Sequence, residues 1–192
     1  MVALEITAAL MGVVSVWLAK KENIWVFPTG IISTALYTWI CATYELRGDM
    51  VINAYYTAMS LYGWYMWLRP APGDQADHRL ISRTNKREKI WIVISFVAAV
   101  LFVLGVYKFF GTPITYISYI DAFTTAVFFI AMWLMALKKI ENWTFWILGN
   151  VISVPLYLIK HLCFTAVQYS IFLVIAIAGY LEWRRRLAAL HR

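Results

Sequence analysis

Hydrophobic positions fall into seven long runs separated by short polar breaks: Ala3–Ala19, Ile24–Tyr44, Met50–Leu68, Ile90–Phe110, Tyr116–Leu137, Trp143–Leu162 and Ala166–Trp183. A helix crossing a bilayer needs about 20 mostly apolar residues, and each run meets that need. The breaks are Lys20-Lys21-Glu22-Asn23, Glu45-Leu46-Arg47-Gly48-Asp49, Gly111-Thr112-Pro113 and Lys138-Lys139-Ile140-Glu141-Asn142. A longer one, Arg69 to Lys89, is rich in Pro, Gly and charge and predicts a flexible surface loop. The first run is expected to be a retained helix, because its basic pair follows the apolar stretch where a signal peptide has its basic region in front. The pattern predicts an all-α membrane protein with seven transmembrane helices.

Composition strengthens this picture. Of 192 residues, 62% are hydrophobic and 14% charged, against about 45–50% and 25% in soluble domains. The outer surface is therefore expected to face lipid. A net charge of +7 would suggest nucleic acid in a soluble chain. Here the cations sit in the breaks, so no nucleic-acid partner is expected. Fourteen of the 17 Lys and Arg residues collect on one side of a seven-helix topology and three, Arg47, Lys108 and Lys160, on the other. The positive-inside rule then predicts N-out, C-in.

An internal echo runs through the chain. Glu22-Asn23 and Gly30 are matched at the same spacing by Glu141-Asn142 and Gly149, and Gly63 and Trp67 by Gly179 and Trp183. The echo predicts one transporter-like domain over residues 1–192. It would comprise a three-helix unit (3–68), a linking helix (90–110) and a second three-helix unit (116–183), a 3+1+3 parallel repeat.

Polar residues at membrane depth are costly and mark candidate function. Trp143, Trp146 and Asn150 share one helical face at spacings of three and four. Two indoles and an amide suit a flat, hydrogen-bonding ring, and a cationic ring would gain about 0.5–2 kcal/mol from the indole faces. Asn53 and Gln168 are further amides at depth, open either to a ligand or to a neighbouring helix. Asp121, with Thr124 and Thr125 one turn on, suits a cation, a proton relay or a structural hydrogen bond. Pro28 and Pro155 are expected to interrupt the second and sixth helices. Tyr62-Gly63-Trp64-Tyr65-Met66-Trp67 reads mostly as an interfacial aromatic belt. No metalloprotease, nucleophile-elbow or phosphate-loop motif occurs. His78, His161 and His191 are dispersed, and Cys41 and Cys163 have no metal spacing. Neither enzymatic activity, a cofactor nor a metal is therefore expected.

Glu141-Asn142-Trp143-x-x-Trp146-x-x-x-Asn150-Val151-Ile152-Ser153, within Asp121 to Tyr169, resembles the PnuC family of bacterial nicotinamide riboside transporters, as does Tyr62-Gly63-Trp64-Tyr65-x-Trp67. The resemblance covers nearly the whole chain outside the Arg69–Lys89 loop. It implies a seven-helix 3+1+3 carrier in the bacterial inner membrane. The solute would move by facilitated diffusion and be trapped by a separate kinase. Trp143 and Trp146 would flank the pyridine ring and Asn150 would contact the polar part. Where nicotinamide riboside members tend to have Gln in the third helix, this chain has Asn53. That departure leaves thiamine, and less closely riboflavin, as alternative solutes. A seven-helix receptor or interaction protein is the reading from another class, and a homo-oligomer is compatible with all of these.

Overall fold

In lipid every backbone N–H and C=O must be satisfied within its own segment, so long apolar runs resolve into helices. A computed structural model describes residues 2–44, 47–70, 78–111, 113–159, 161 and 163–190. They form seven helices, α1 (Val2–Lys20), α2 (Val26–Thr43), α3 (Arg47–Trp67), α4 (Lys86–Phe109), α5 (Tyr116–Ala136), α6 (Glu141–Ile159) and α7 (Cys163–Leu190). The described residues contain no β-strand beyond an isolated parallel bridge from Ser82 to Lys139.

Helix ends depart from the hydropathy reading where local chemistry extends them. α4 begins at Lys86 because Asn85 accepts from the Glu88 N–H while Glu88 accepts from the Asn85 N–H, a reciprocal cap. α7 runs on through Arg184–Arg186, with Arg186 paired to Glu182 one turn back at 3.0 Å. Pro28 lies in the first turn of α2, where no intrahelical donor is lost, so it does not interrupt that helix. Pro155 does lie inside α6.

Six helices, all but α3, are long and apolar enough to cross a membrane by length and composition. α3 falls short because Arg47, Asp49 and Asn53 occupy its first turns and tyrosines much of the rest. Its 21 residues nonetheless span about 30 Å at 1.5 Å per residue.

Packing closes six helices into a ring in the order α1, α2, α3, α5, α6, α7 and back to α1, while α4 lies outside against α5. Each seam has an identifiable cause. Ser33 Oγ donates to the Ala8 carbonyl at 2.7 Å across α1–α2, and Thr34 and Thr57 share a 2.7 Å hydrogen bond across α2–α3. Tyr55 stacks on Phe129 and donates to its carbonyl across α3–α5. Gly149 and Gly179 lack the Cβ that would strike Phe128 and Trp143, so α5 and α7 approach α6 closely. The outlying α4 exposes Ile90, Val93, Ile94, Val97 and Leu101, an apolar face suited to lipid.

Two parts of the ring repeat one another 116 positions apart. In the α1–α2 turn, Glu22 N–H donates to Ala19 and Asn23 N–H to Leu18; in the α5–α6 turn, Lys138 N–H donates to Met135 and Lys139 N–H to Leu134. Glu22 and Lys138 both adopt left-handed backbone, φ 61° and 58°. Phe27 lies edge-on to Trp67 at 5.0 Å and 88°, and Trp143 edge-on to Trp183 at 5.6 Å and 88°. Trp67 Nε1 donates to the Met135 carbonyl and Trp183 Nε1 to the Ala19 carbonyl, at 2.9 and 3.0 Å. The structural counterpart of Trp143 is thus Phe27, of Trp146 Gly30 and of Asn150 Thr34. In α2 and α6 this register differs by three from the Glu-Asn echo, because Glu22-Asn23 lies in a turn and Glu141-Asn142 opens a helix.

The segment from His78 to Asn85 is fastened to the α5–α6 turn, unlike the loose loop expected from composition. Ser82 N–H donates to Lys138 O, and Ile140 N–H to Ser82 O. Thr84 N–H donates to Glu141 Oε2 at 3.1 Å, and Ile81, only 3% exposed, belongs to the same buried core as Trp67 and Ile140. Residues 71–77 of that loop lie outside the described residues.

Candidate functional site

Inside the ring lies a cavity of about 380 Å³ to which all six ring helices contribute and α4 does not. Sites for small organic ligands occupy roughly 300–1,000 Å³, so the volume suits one small solute. Five of the six sequence candidates line it: Trp143, Trp146, Asn150, Asn53 and Gln168. Asp121 does not. It lies within hydrogen-bonding reach of the Tyr107 hydroxyl of α4.

One wall is aromatic. Phe128 from α5 and Trp146 from α6 lie at 5.4 Å and 32°, and Phe128 touches Tyr169 of α7 at 5.9 Å. Trp146 is half-buried and offers part of its indole to the cavity. Trp143 behaves differently from the paired clamp that spacing suggested. Only 1% exposed, it packs its six-membered ring on Gly179 and its edge on Trp183, forming the floor. Its Nε1–H is buried without a hydrogen-bond acceptor among the described residues, a state that costs about 1–3 kcal/mol. Asn150 is 1% exposed and uses one amide N–H on the Trp146 carbonyl at 2.8 Å. Its carbonyl oxygen and second N–H are what it can offer a ligand.

The opposite wall is built from small and hydroxylated residues of α1–α3. Gly12 and Ser15 of α1 face Gly30, Ser33 and Thr34 of α2, with Ser60 of α3 beside them. Ser15 donates to the Val26 carbonyl at 2.7 Å and Ser33 to that of Ala8, so both protons are engaged. What remains on each hydroxyl is acceptor capacity. Asn53 donates to the Asp49 carbonyl at 2.9 Å, which again leaves its amide oxygen. Towards the end of the cavity away from Trp143, Gln168 lies within hydrogen-bonding reach of Tyr37. Among the described residues, no Lys, Arg, His, Asp or Glu lines the cavity.

Sequence reasoning missed this second wall. Its signal was present in Gly12 with Ser15 and Gly30 with Ser33 and Thr34, at helical spacings of three and four that keep each set on one face. Small residues at such spacings usually serve close helix packing, which hid them.

A cluster of charged groups lies below the floor. Glu22 accepts from Lys138 at 2.6 Å and from Arg186 at 3.1 Å. Lys138 also donates to the Arg79 carbonyl at 2.8 Å and lies 4.6 Å from the Trp67 ring centroid. Burial pulls the Lys138 ammonium below the ordinary lysine range, with Glu22 opposing. Lys139 pairs with Glu88 at 2.9 Å. The α1–α2 turn, the α3–α4 connection, the α5–α6 turn and the end of α7 thus meet at one basic end of the bundle. Among the described residues, no cluster of His, Cys, Asp and Glu could hold a metal.

Comparison with known proteins agrees with this architecture. The sequence model of the family described as Nicotinamide mononucleotide transporter matches residues 2–185. The Nicotinamide riboside transporter PnuC of Escherichia coli (strain K12) is 23% identical over 201 residues, covering 94% of this chain and 84% of that protein. The Riboflavin/roseoflavin transporter RibM of Streptomyces davaonensis is 22% identical over 180 residues, covering 93% and 83%. A solved structure, the Crystal structure of the Vitamin B3 transporter PnuC, superposes with a TM-score of 0.73 at 24% identity, over 95% of this chain and 80% of that one.

Proposed function

Because the chain belongs to the nicotinamide mononucleotide transporter family, we propose that it carries nicotinamide riboside across a bacterial inner membrane by facilitated diffusion, with trapping by a separate kinase. The observation that carries this reading is the two-walled cavity with no charged side chain among the described residues that line it. A pyridinium ring is flat and cationic, and the faces of Trp146 and Phe128 attract such a ring. A ribose supplies hydroxyl donors, and the hydroxyls of Ser15 and Ser33 retain acceptor capacity. A phosphate would enter a low-dielectric cavity with no cation beside it, which is strongly unfavourable. The chemistry therefore supports the riboside named for the curated relatives over the mononucleotide of the family description.

Asn150, Trp146, Trp143, Asn53 and Gln168 are the substrate-binding residues in this reading, and Asp121 is left out because it does not line the cavity. α3 spans the membrane with the other six helices, and α4 links two three-helix units, 3–68 and 116–183. The matched turns, indole–carbonyl bonds and edge-on aromatic pairs 116 positions apart support that 3+1+3 plan. The gathering of cations at one end supports an N-out, C-in orientation. Asn53 keeps thiamine as the competing solute within the same fold.

Uptake of labelled nicotinamide riboside into vesicles containing the purified protein tests the reading. Uptake competed by unlabelled riboside but not by thiamine or riboflavin, and abolished in Asn150→Leu with the variant still folded, is the expected result. Competition by thiamine alone would replace the solute and retain the fold.

A further inference from the structure

Two helix-ending turns occupy matched places in the ring, and both break the same rule. The position after a helix end that adopts left-handed backbone is usually glycine, because a Cβ is strained there. Here Glu22 (φ 61°) and Lys138 (φ 58°) occupy it. A charged side chain in place of glycine gains something glycine cannot supply, and its destination is visible. The two side chains, of opposite sign, meet at 2.6 Å between the α1–α2 and α5–α6 turns, with 16% and 4% of their surface exposed.

The two partners are not held alike. Lys138 is also gripped by the Arg79 carbonyl and by the face of Trp67. Glu22 has Lys138 on one oxygen and Arg186 on the other, so both its ion pairs reach from the α1–α2 turn to the α5–α7 part of the ring. The pair lies one helical turn below the cavity floor, because Val26 and Met135, four residues after Glu22 and three before Lys138, both line the cavity. A solute leaving by the basic end must pass between these two turns.

From this geometry we infer that Glu22 is the keystone of a gate. With its carboxylate held by Lys138 and Arg186 the basic end is shut. It opens when the α1–α2 turn withdraws, Lys138 staying with the α3–α4 connection. This rests on the cavity being the solute path, as the transporter reading has it, but it does not depend on which solute is carried.

The test uses the full chain in vesicles of each orientation, with Cys41→Ala and Cys163→Ser removing the native thiols and Val26→Cys placing one in the floor. A membrane-impermeant maleimide is applied first to the basic end and then to the opposite end. Glu22→Gln is expected to raise labelling from the basic end about tenfold, the shift that 1.4 kcal/mol of gate stability gives, and to leave labelling from the other end unchanged. Lys138→Met should do the same, and the double variant should add little. Arg186→Gln stands in if either variant fails to fold, as judged by its melting temperature. Unchanged labelling, or an equal rise from both ends, would overturn the gate and leave the ion pair a structural fastening. Labelling needs no substrate, so its failure is separable from a failure of riboside uptake.

Discussion

Helices α1–α3 and α5–α7 share a frame and differ in what the frame holds. Both end their first helix in a left-handed residue, send a tryptophan from the last helix to a carbonyl of the other unit's first helix, and set an edge-on aromatic over a glycine. At the cavity the likeness stops. Gly12, Gly30 and Thr34 stand in one unit where Phe128, Trp146 and Asn150 stand in the other. Contacts that fix the turns and the tryptophan ends are duplicated, whereas the side chains that line the cavity differ between the two halves. The result is a cavity with one aromatic wall and one wall of small and hydroxylated residues, inside a nearly symmetric ring.

The largest break in that comparison comes from making the walls alike. Gly30→Leu puts bulk where the counterpart carries Trp146, and a Cβ at Gly30 already meets Ser15 Oγ at 3.0 Å. Overpacking costs about 1–3 kcal/mol of stability, and the lost space is expected to weaken riboside binding by about a hundredfold, roughly 2.7 kcal/mol. Calorimetric titration beside a melting curve separates the two effects. Unaltered binding would move the solute away from the α1–α2 wall.

A smaller effect tests the shared frame. Trp67→Phe and Trp183→Phe each remove one buried indole–carbonyl bond, worth about 0.5–1.5 kcal/mol net, while each carbonyl keeps its second donor, the Lys138 N–H on Met135 and the Glu22 N–H on Ala19. The melting temperatures of the two variants should fall by similar amounts. A fall confined to one would show that the units are not equivalent fastenings. The smallest change is expected from Ser15→Ala, which removes one hydroxyl from the sugar wall. A loss of about threefold to tenfold in riboside affinity, with little effect on a ligand lacking the sugar, sharpens the division between the walls.

How much of this was legible beforehand follows from which physics each feature obeys. The helices were readable because lipid demands apolar runs of fixed length, though α3, with its polar first turns, is the weakest of them by composition. Gly63 and Trp67 against Gly179 and Trp183 had the right register because both members serve the frame. The Glu-Asn echo misled by three residues because its two copies sit in different local structure. Trp146 and Asn150 stood out as costly groups at depth, while Ser15 and Ser33 did not, since serines that satisfy themselves on backbone carbonyls read as packing. Asp121 was conspicuous as a carboxylate well inside a helix, yet its neighbour Tyr107 depends on where α4 lies, and no spacing within one helix reveals that.

Titration of the purified protein with nicotinamide riboside and with its 5′-phosphate, each repeated on Trp146→Ala, tests the central claim most directly. The uncharged lining and the aromatic wall predict that the riboside binds, that the phosphate binds at least about a hundredfold more weakly for want of a cation, and that Trp146→Ala loses the riboside. Equal binding of the two ligands, or binding indifferent to Trp146, would contradict the two-walled site.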